Sequence, residues 1–244
     1  MLASVPVVFL HAFPLGPAMW RSQVAALSGG RVLTPSFPGF GGRSPGGTSL
    51  DDFADAVVAD MDAAGIGRAV VVGLSMGGYA AFRLHARRPE RIAALVLADT
   101  KATADDEAAR AKRTGQAGRA RREGVAWLVD AMVPVLLGET TLTERPSVKK
   151  SVGDMIADAD PEGVARALEA MRDRPDSTGD LASITVPVLA IAGEEDQVTP
   201  VEGARQIAEG VVDGRLVVIP KAGHLSSLED ASAFNSALLS FLER

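Results

Sequence analysis

The chain has 244 residues, 47% of them hydrophobic, a formal net charge of −6 and no cysteine. That is enough apolar chain for one large α/β domain, and the lack of cysteine excludes disulfides, thiolate metal sites and thiol nucleophiles together. Acidic and basic residues are intermixed, so no nucleic-acid partner is expected, and the three histidines, His11, His85 and His224, show no metal-ligand spacing.

From the start, residues 1–10 lack a basic n-region, and no window reaches membrane-spanning length; the expectation is a soluble cytoplasmic protein with no membrane partner. Apolar, β-branched runs predict strands over residues 5–10, 31–36, 69–74, 93–99, 186–193 and 216–220. Helical patterns lie between most of them, at about residues 17–27, 50–64, 76–88, 200–208 and 228–242. Alternating strands and helices predict an α/β fold: a mainly parallel sheet of about six strands, flanked by helices on both faces.

The alternation breaks between residues 101 and 183. There Val125, Leu128, Val129, Met132, Val133 and Leu136 repeat at helical spacing, as do Val164, Ala167, Leu168 and Met171. Pro134 is expected to kink or end the first of these helices. The predicted organisation is a core of residues 1–100 and 184–244, with residues 101–183 inserted as an all-helical cap.

Gly73-Leu74-Ser75-Met76-Gly77 follows the apolar run Ala69-Val70-Val71-Val72, and a helical pattern begins after Gly78. A Gly-x-Ser-x-Gly pentapeptide between strand and helix predicts a sharp turn that lifts the serine hydroxyl out of the sheet toward helix N–H groups. A serine hydroxyl needs a base. His224, in the loop after the last strand, is the best placed; His11, at the end of the first strand, is an alternative, and His85 reads as a surface residue. The base needs an acid to fix its tautomer, and spacing alone leaves Glu194, Glu195, Asp196 and Asp99 open, all after strand ends. Two amides are expected to hold an oxyanion, Met76 and, in the loop after the first strand, Phe13; Pro14 has no N–H to offer.

Other features read as structural. Gly39-Phe40-Gly41-Gly42 lacks the spacing of a dinucleotide fingerprint, and Arg119-Ala120-Arg121-Arg122 reads as a solvated face. Phe13, Trp127, Met132, Leu136, Met155, Met171, Val198 and Leu225 are candidates to line a substrate pocket, with core packing the competing role for at least half of the cap residues among them.

With these motifs the sequence resembles the α/β-hydrolase superfamily, in its capped esterase and lactonase branch. The resemblance spans nearly the whole chain. It rests on Val7-Val8-Phe9-Leu10-His11-Ala12-Phe13-Pro14 with Met19-Trp20, on Pro38-Gly39-Phe40-Gly41-Gly42-Arg43-Ser44, and on the serine pentapeptide. Gly193-Glu194-Glu195-Asp196 and Gly223-His224-Leu225-Ser226-Ser227-Leu228-Glu229 complete it, the last with the stretch Met171-Arg172-Asp173-Arg174-Pro175-Asp176 being similar to 3-oxoadipate enol-lactonases. The resemblance implies Ser75, Asp196 and His224 as the triad, in the superfamily's own chain order. It implies hydrolysis of a small carboxylic ester or lactone through an acyl-enzyme, with no metal and no organic cofactor. C–C bond hydrolases, perhydrolases and slow-turnover small-molecule receptors share the triad and are the alternatives.

Three departures stand out. Ala12 replaces a usual glycine, and Ser36 a usual aspartate. An antiparallel hairpin usual at the start of relatives is not expected here, which makes residues 31–36 an edge strand, blunted by Pro35 and Arg31, in a six-stranded, all-parallel sheet. A monomer or homodimer is expected, without a sheet continuing between chains.

Overall fold

The computed structural model describes residues 2–27 and 29–244. In chain order it begins with β1 (Val7–Leu10), a 3-10 turn (Pro17–Trp20), α1 (Arg21–Ala26), β2 (Val32–Leu33), α2 (Leu50–Ala63), β3 (Ala69–Leu74), α3 (Met76–Arg87) and β4 (Ile92–Ala98). Five helices follow: α4 (Glu107–Glu123), α5 (Ala126–Leu136), α6 (Glu139–Glu144), α7 (Pro146–Ala157) and α8 (Pro161–Arg172). The chain then closes with β5 (Val188–Gly193), α9 (Val201–Gly210), β6 (Gly214–Ile219), α10 (Ser226–Glu229) and α11 (Ala231–Leu242).

The six strands pair in the order β2-β1-β3-β4-β5-β6, every pair parallel. β3 and β4 are buried at every residue, because helices cover both faces of a parallel sheet; each valine or leucine buried there is worth roughly 1.5–3 kcal/mol. The chain leaves β1 toward β2 on one side, and β4 lies beyond β3 on the other. A crevice is therefore left at the C-terminal ends of β1 and β3, where sheets of this topology build sites.

Local chemistry sets the element ends. Ser49 caps α2 through its hydroxyl, which accepts the Asp52 N–H, while Asp52 Oδ2 accepts the Ser49 N–H in return. Asp106, Asp160 and Asp230 cap α4, α8 and α11 through a carboxylate oxygen that accepts one backbone N–H of the first turn.

Several expected boundaries shift. The strand expected over residues 31–36 is only Val32–Leu33, because Pro35 cannot donate to a ladder and the Phe37 N–H is spent on His11 Nε2 at 3.1 Å. It remains the edge strand expected. The helix expected over 17–27 splits into a 3-10 turn and α1, and that over 228–242 divides at Asp230, whose carboxylate accepts the Ala233 N–H and caps α11. Pro134 stays inside α5, which ends two residues later.

The inserted helices are joined to the sheet domain by backbone. The His224 N–H donates to Leu136 O at 3.0 Å, and Gly223 packs so closely on Gly138 that a side chain on either glycine would collide with the other's main chain.

Candidate active site

Ser75 follows β3 directly and precedes the first residue of α3. Its φ of +55° and ψ of −112° are strained for a residue with a side chain, at a cost of about 1–3 kcal/mol. The surroundings hold it there. The Ser75 N–H donates to Ala98 O at 2.9 Å, and the Thr100 hydroxyl donates to Ser75 O at 2.9 Å. The flanking glycines are required by close approach: a Cβ on Gly73 would strike the Gly77 carbonyl, and one on Gly77 would strike Leu10 O.

His224, in the loop between β6 and α10, places Nε2 2.8 Å from Ser75 Oγ. Its Nδ1 lies 2.8 Å from Asp196 Oδ2. All three residues are buried, with Ser75 the most open at 8% exposure. Asp196 is fixed in turn: its Oδ1 accepts the Val198 and Thr199 N–H groups at 2.7 and 2.9 Å, and its Oδ2 accepts the Thr199 hydroxyl at 2.7 Å. With that carboxylate accepting, His224 carries its proton on Nδ1 and turns the Nε2 lone pair toward the serine.

Three other carboxylates that spacing could not separate from Asp196 are committed elsewhere. Glu195 accepts the Thr140 N–H at 2.9 Å and the Thr140 hydroxyl at 2.6 Å, and Glu194 accepts the Lys221 N–H at 3.1 Å. Asp99, fully buried beneath the site, accepts the Gly193 N–H at 2.9 Å and the Ser226 N–H and hydroxyl at 3.0 and 2.6 Å.

Burial is the largest influence on all three titrating groups here, and the neighbours decide the sign. Burial opposes charge on His224, but Asp196 and its hydrogen bond, with Asp99 and Glu229 behind, outweigh it and raise the pKa above 6.5. Burial opposes charge on Asp196 as well, and His224, the Thr199 amide and the Thr199 hydroxyl bring its pKa below the ordinary value. For Asp99, burial and then the Asp196 charge outweigh His224 and the hydrogen bonds from Ser226 and Gly193, and push its pKa up to about 8. The charged partner of His224 is therefore Asp196.

The loop after β1 supplies the other side of the site. Ala12 N–H is spent on Met19 Sδ at 3.2 Å, whereas the N–H groups of Phe13 and Met76, both buried, have no acceptor among the described residues. Two unmet buried amides beside a serine hydroxyl suit an anionic oxygen. His11 is engaged away from the serine. Its Nε2 accepts the Phe37 N–H, its Nδ1 lies 3.0 Å from Ala12 O, and burial lowers its pKa to about 4. It ties the loop after β1 to the Phe37–Phe40 turn. His85 sits ten residues further along α3, about 15 Å from the serine by helical rise.

The candidate pocket residues scatter. Phe13 packs edge-on to Phe40, with ring centres 6.4 Å apart. Met155 faces a cleft of about 430 Å³ with Pro14, Leu15 and Phe40, beside the same loop. Leu136 is buried where its carbonyl meets the His224 N–H, Leu225 is buried within the histidine loop itself, Met132 is half-buried, and Val198 is exposed. Trp127 and Met171 have other partners. The Trp127 ring lies under the Arg119 guanidinium at 4.3 Å, and its Nε1–H donates to Gly124 O. Met171 Sδ accepts from Arg113, beside a buried cluster in which Arg113 and Arg174 share Asp105. Sequence reasoning missed Thr199 and Glu229 as partners of the histidine loop, because a hydroxyl three residues from the acid and a glutamate five residues after the base carry no pattern of their own.

The sequence profile of the alpha/beta hydrolase fold matches residues 5–231. The chain belongs to the α/β-hydrolase family. Among relatives, 3-oxoadipate enol-lactonase 2 of Acinetobacter baylyi is 27% identical over 241 residues, covering 98% of this chain and 88% of that one. A thermophilic esterase from Thermogutta terrifontis superposes with a TM-score of 0.95 at 36% identity, covering 98% of this chain and 90% of the other. An enol-lactonase from Burkholderia xenovorans gives 0.91 at 31%, covering 99% and 92%. This α/β hydrolase has no described helix long and apolar enough to cross a membrane, and no group of three or more His, Asp or Glu among its described residues is arranged to hold a metal ion.

Proposed function

We propose that this α/β hydrolase cleaves small carboxylic esters or lactones through an acyl-enzyme on Ser75. The observation that carries the reading is the unbroken line Ser75 Oγ–His224 Nε2–His224 Nδ1–Asp196 Oδ2, each hydrogen bond 2.8 Å, beside the unmet Phe13 and Met76 amides.

Ser75 Oγ attacks the carbonyl carbon as His224 Nε2 takes its proton. The Phe13 and Met76 N–H groups hold the tetrahedral oxyanion, and Asp196 stabilises the imidazolium. The imidazolium then returns the proton to the departing alkoxide, which in a lactone stays tethered to the acyl group. Water, deprotonated by the same nitrogen, attacks the ester on Ser75 and frees the acid. The inserted helices serve as a cap over this site, and Met155 with Leu15 and Phe40, on which Phe13 packs, offers an apolar surface beside the oxyanion loop. The names of the enol-lactonase and esterase relatives favour an ester or lactone over other acyl substrates.

The test is a panel of short-chain p-nitrophenyl esters and lactones together with a fluorophosphonate probe. The probe is expected to label Ser75 alone, and labelled protein to hydrolyse nothing. Labelling of another serine, or hydrolysis that survives labelling, would refute the reading.

The pH profile follows from His224. It must be neutral to act as base, and its pKa is raised, so the fraction of active enzyme falls sooner on acidification than with an ordinary imidazole. The acid limb of kcat/KM is expected to have its midpoint above 6.5, the ordinary histidine value. A midpoint near 4 would instead implicate His11.

A further inference from the structure

Glu229 is 4% exposed, yet no cation pairs with its carboxylate among the described residues. A buried carboxylate without a cation is tolerated only where its oxygens accept hydrogen bonds. Here both do. Oε1 accepts the Leu225 N–H at 3.0 Å, and Oε2 accepts the Gly138 N–H at 2.8 Å. Leu225 follows His224 in sequence, and Gly138 follows, by two residues, the Leu136 carbonyl that accepts the His224 N–H.

We propose that Glu229 is a positioning residue for His224, clamping the histidine loop to the α5–α6 junction of the inserted helices by accepting one amide from each. The proposal rests on His224 as the base of the reaction above. The clamp is closed: Leu136 O holds the His224 amide, Glu229 holds the next amide, and the second carboxylate oxygen returns to Gly138. Arg145 braces it from α6 and α7, donating to Glu229 O at 2.7 Å and to Lys221 O at 3.3 Å. The two backbone amides on either side of the imidazole's Cα are thus fixed by groups of the insertion or by Glu229.

The requirement is for a carboxylate. Glutamine has the same length but one acceptor oxygen, so its NH2 would meet one of the two amides donor to donor. A residue that merely caps α10 would need only the bond to Leu225. The arrangement also sets charge. The groups facing His224 are Asp196 in its hydrogen bond, Asp99 beneath and Glu229 behind, with Arg145 on the backbone beyond and Glu195 bound to Thr140. Removing the Glu229 charge takes away support for imidazolium, so the histidine pKa moves down.

The test compares wild type with Glu229→Gln by imidazole NMR titration, which three histidines keep simple, and by kcat, KM and Tm on a p-nitrophenyl ester. His224 is expected to titrate about half a unit lower or more, the acid limb to move with it, and kcat on the plateau to fall about tenfold. A folded variant with the histidine within about 0.2 unit and kcat within about twofold of wild type would overturn the proposal. So would an activity loss that only tracks the loss of folded protein, with the titration unmoved. If the variant does not fold, amide exchange in the wild type decides: Gly138 and Leu225 are expected to open together, and protection differing by more than about tenfold refutes a shared clamp. The NMR titration needs no turnover, so a failure of the Ser75 assignment is seen separately, as full activity in Ser75→Ala.

Discussion

Ser75→Ala is expected to lower kcat for ester hydrolysis by about five to six orders of magnitude, and His224→Ala by a similar amount. The double variant is expected to be hardly worse than either. Oγ and Nε2, 2.8 Å apart, share one proton transfer, and once either is gone the other has nothing to exchange with. What survives is expected to be the rate due to binding and to the Phe13 and Met76 amides proposed above. Neither single change should unfold the protein: Ser75 keeps its backbone bonds to Ala98 and Thr100, and His224 keeps its amide bond to Leu136. Steady-state kinetics on the two singles and the double make the test, with circular dichroism to check folding. Full additivity would mean that the two side chains act in separate steps.

Asp196→Asn is expected to cost about three to four orders of magnitude in kcat with little change in KM. The reason lies in the partners of each oxygen. Oδ1 accepts two backbone N–H groups, so an asparagine must keep its carbonyl there and turn its NH2 to the Oδ2 position. That NH2 faces His224 Nδ1, which must then accept, moving the ring proton to Nε2 against Ser75 Oγ. The base is lost to the wrong tautomer. Asp99→Asn is expected to act mainly on stability, since Asp99 anchors Gly193 and Ser226 and does not reach the imidazole by a hydrogen bond. If Asp99→Asn removes activity and Asp196→Asn does not, the acid lies at the end of β4.

Much of this was legible in the residues before any coordinates. A run of buried β-branched side chains, a glycine pair around a serine and a helical pattern make a turn that few other sequences could make, and Ser75 stands where that reasoning puts it. The acid was not legible by spacing. Glu194, Glu195 and Asp196 are adjacent, and what separates them is which far-off group each meets: Lys221, Thr140 or His224. Such contacts depend on how loops from different strands meet, which no local pattern records. The strand at residues 31–36 was drawn too long because apolar spacing does not weigh a missing N–H at Pro35 or the claim of His11 on Phe37. For residues 101–183 the limit is of a third kind. A helical period tells that Met171 and Trp127 are turned from water, but not that one meets Arg113 and the other lies under Arg119.

The close contact between Gly138 and Gly223 bears on how specificity could be exchanged within the family. A helical insertion is an attractive unit to transplant, since its joints at either end of residues 101–183 leave every strand untouched. Here the transplant would carry foreign backbone into the place of residues 136–138, against a histidine loop with no room for even one extra carbon. A donor segment with any side chain at the position of Gly138 would push on Gly223, and through it on His224. Chimaeras that take only the insertion should therefore fold with a displaced base, whereas those that take residues 220–229 from the same donor keep host and graft in register.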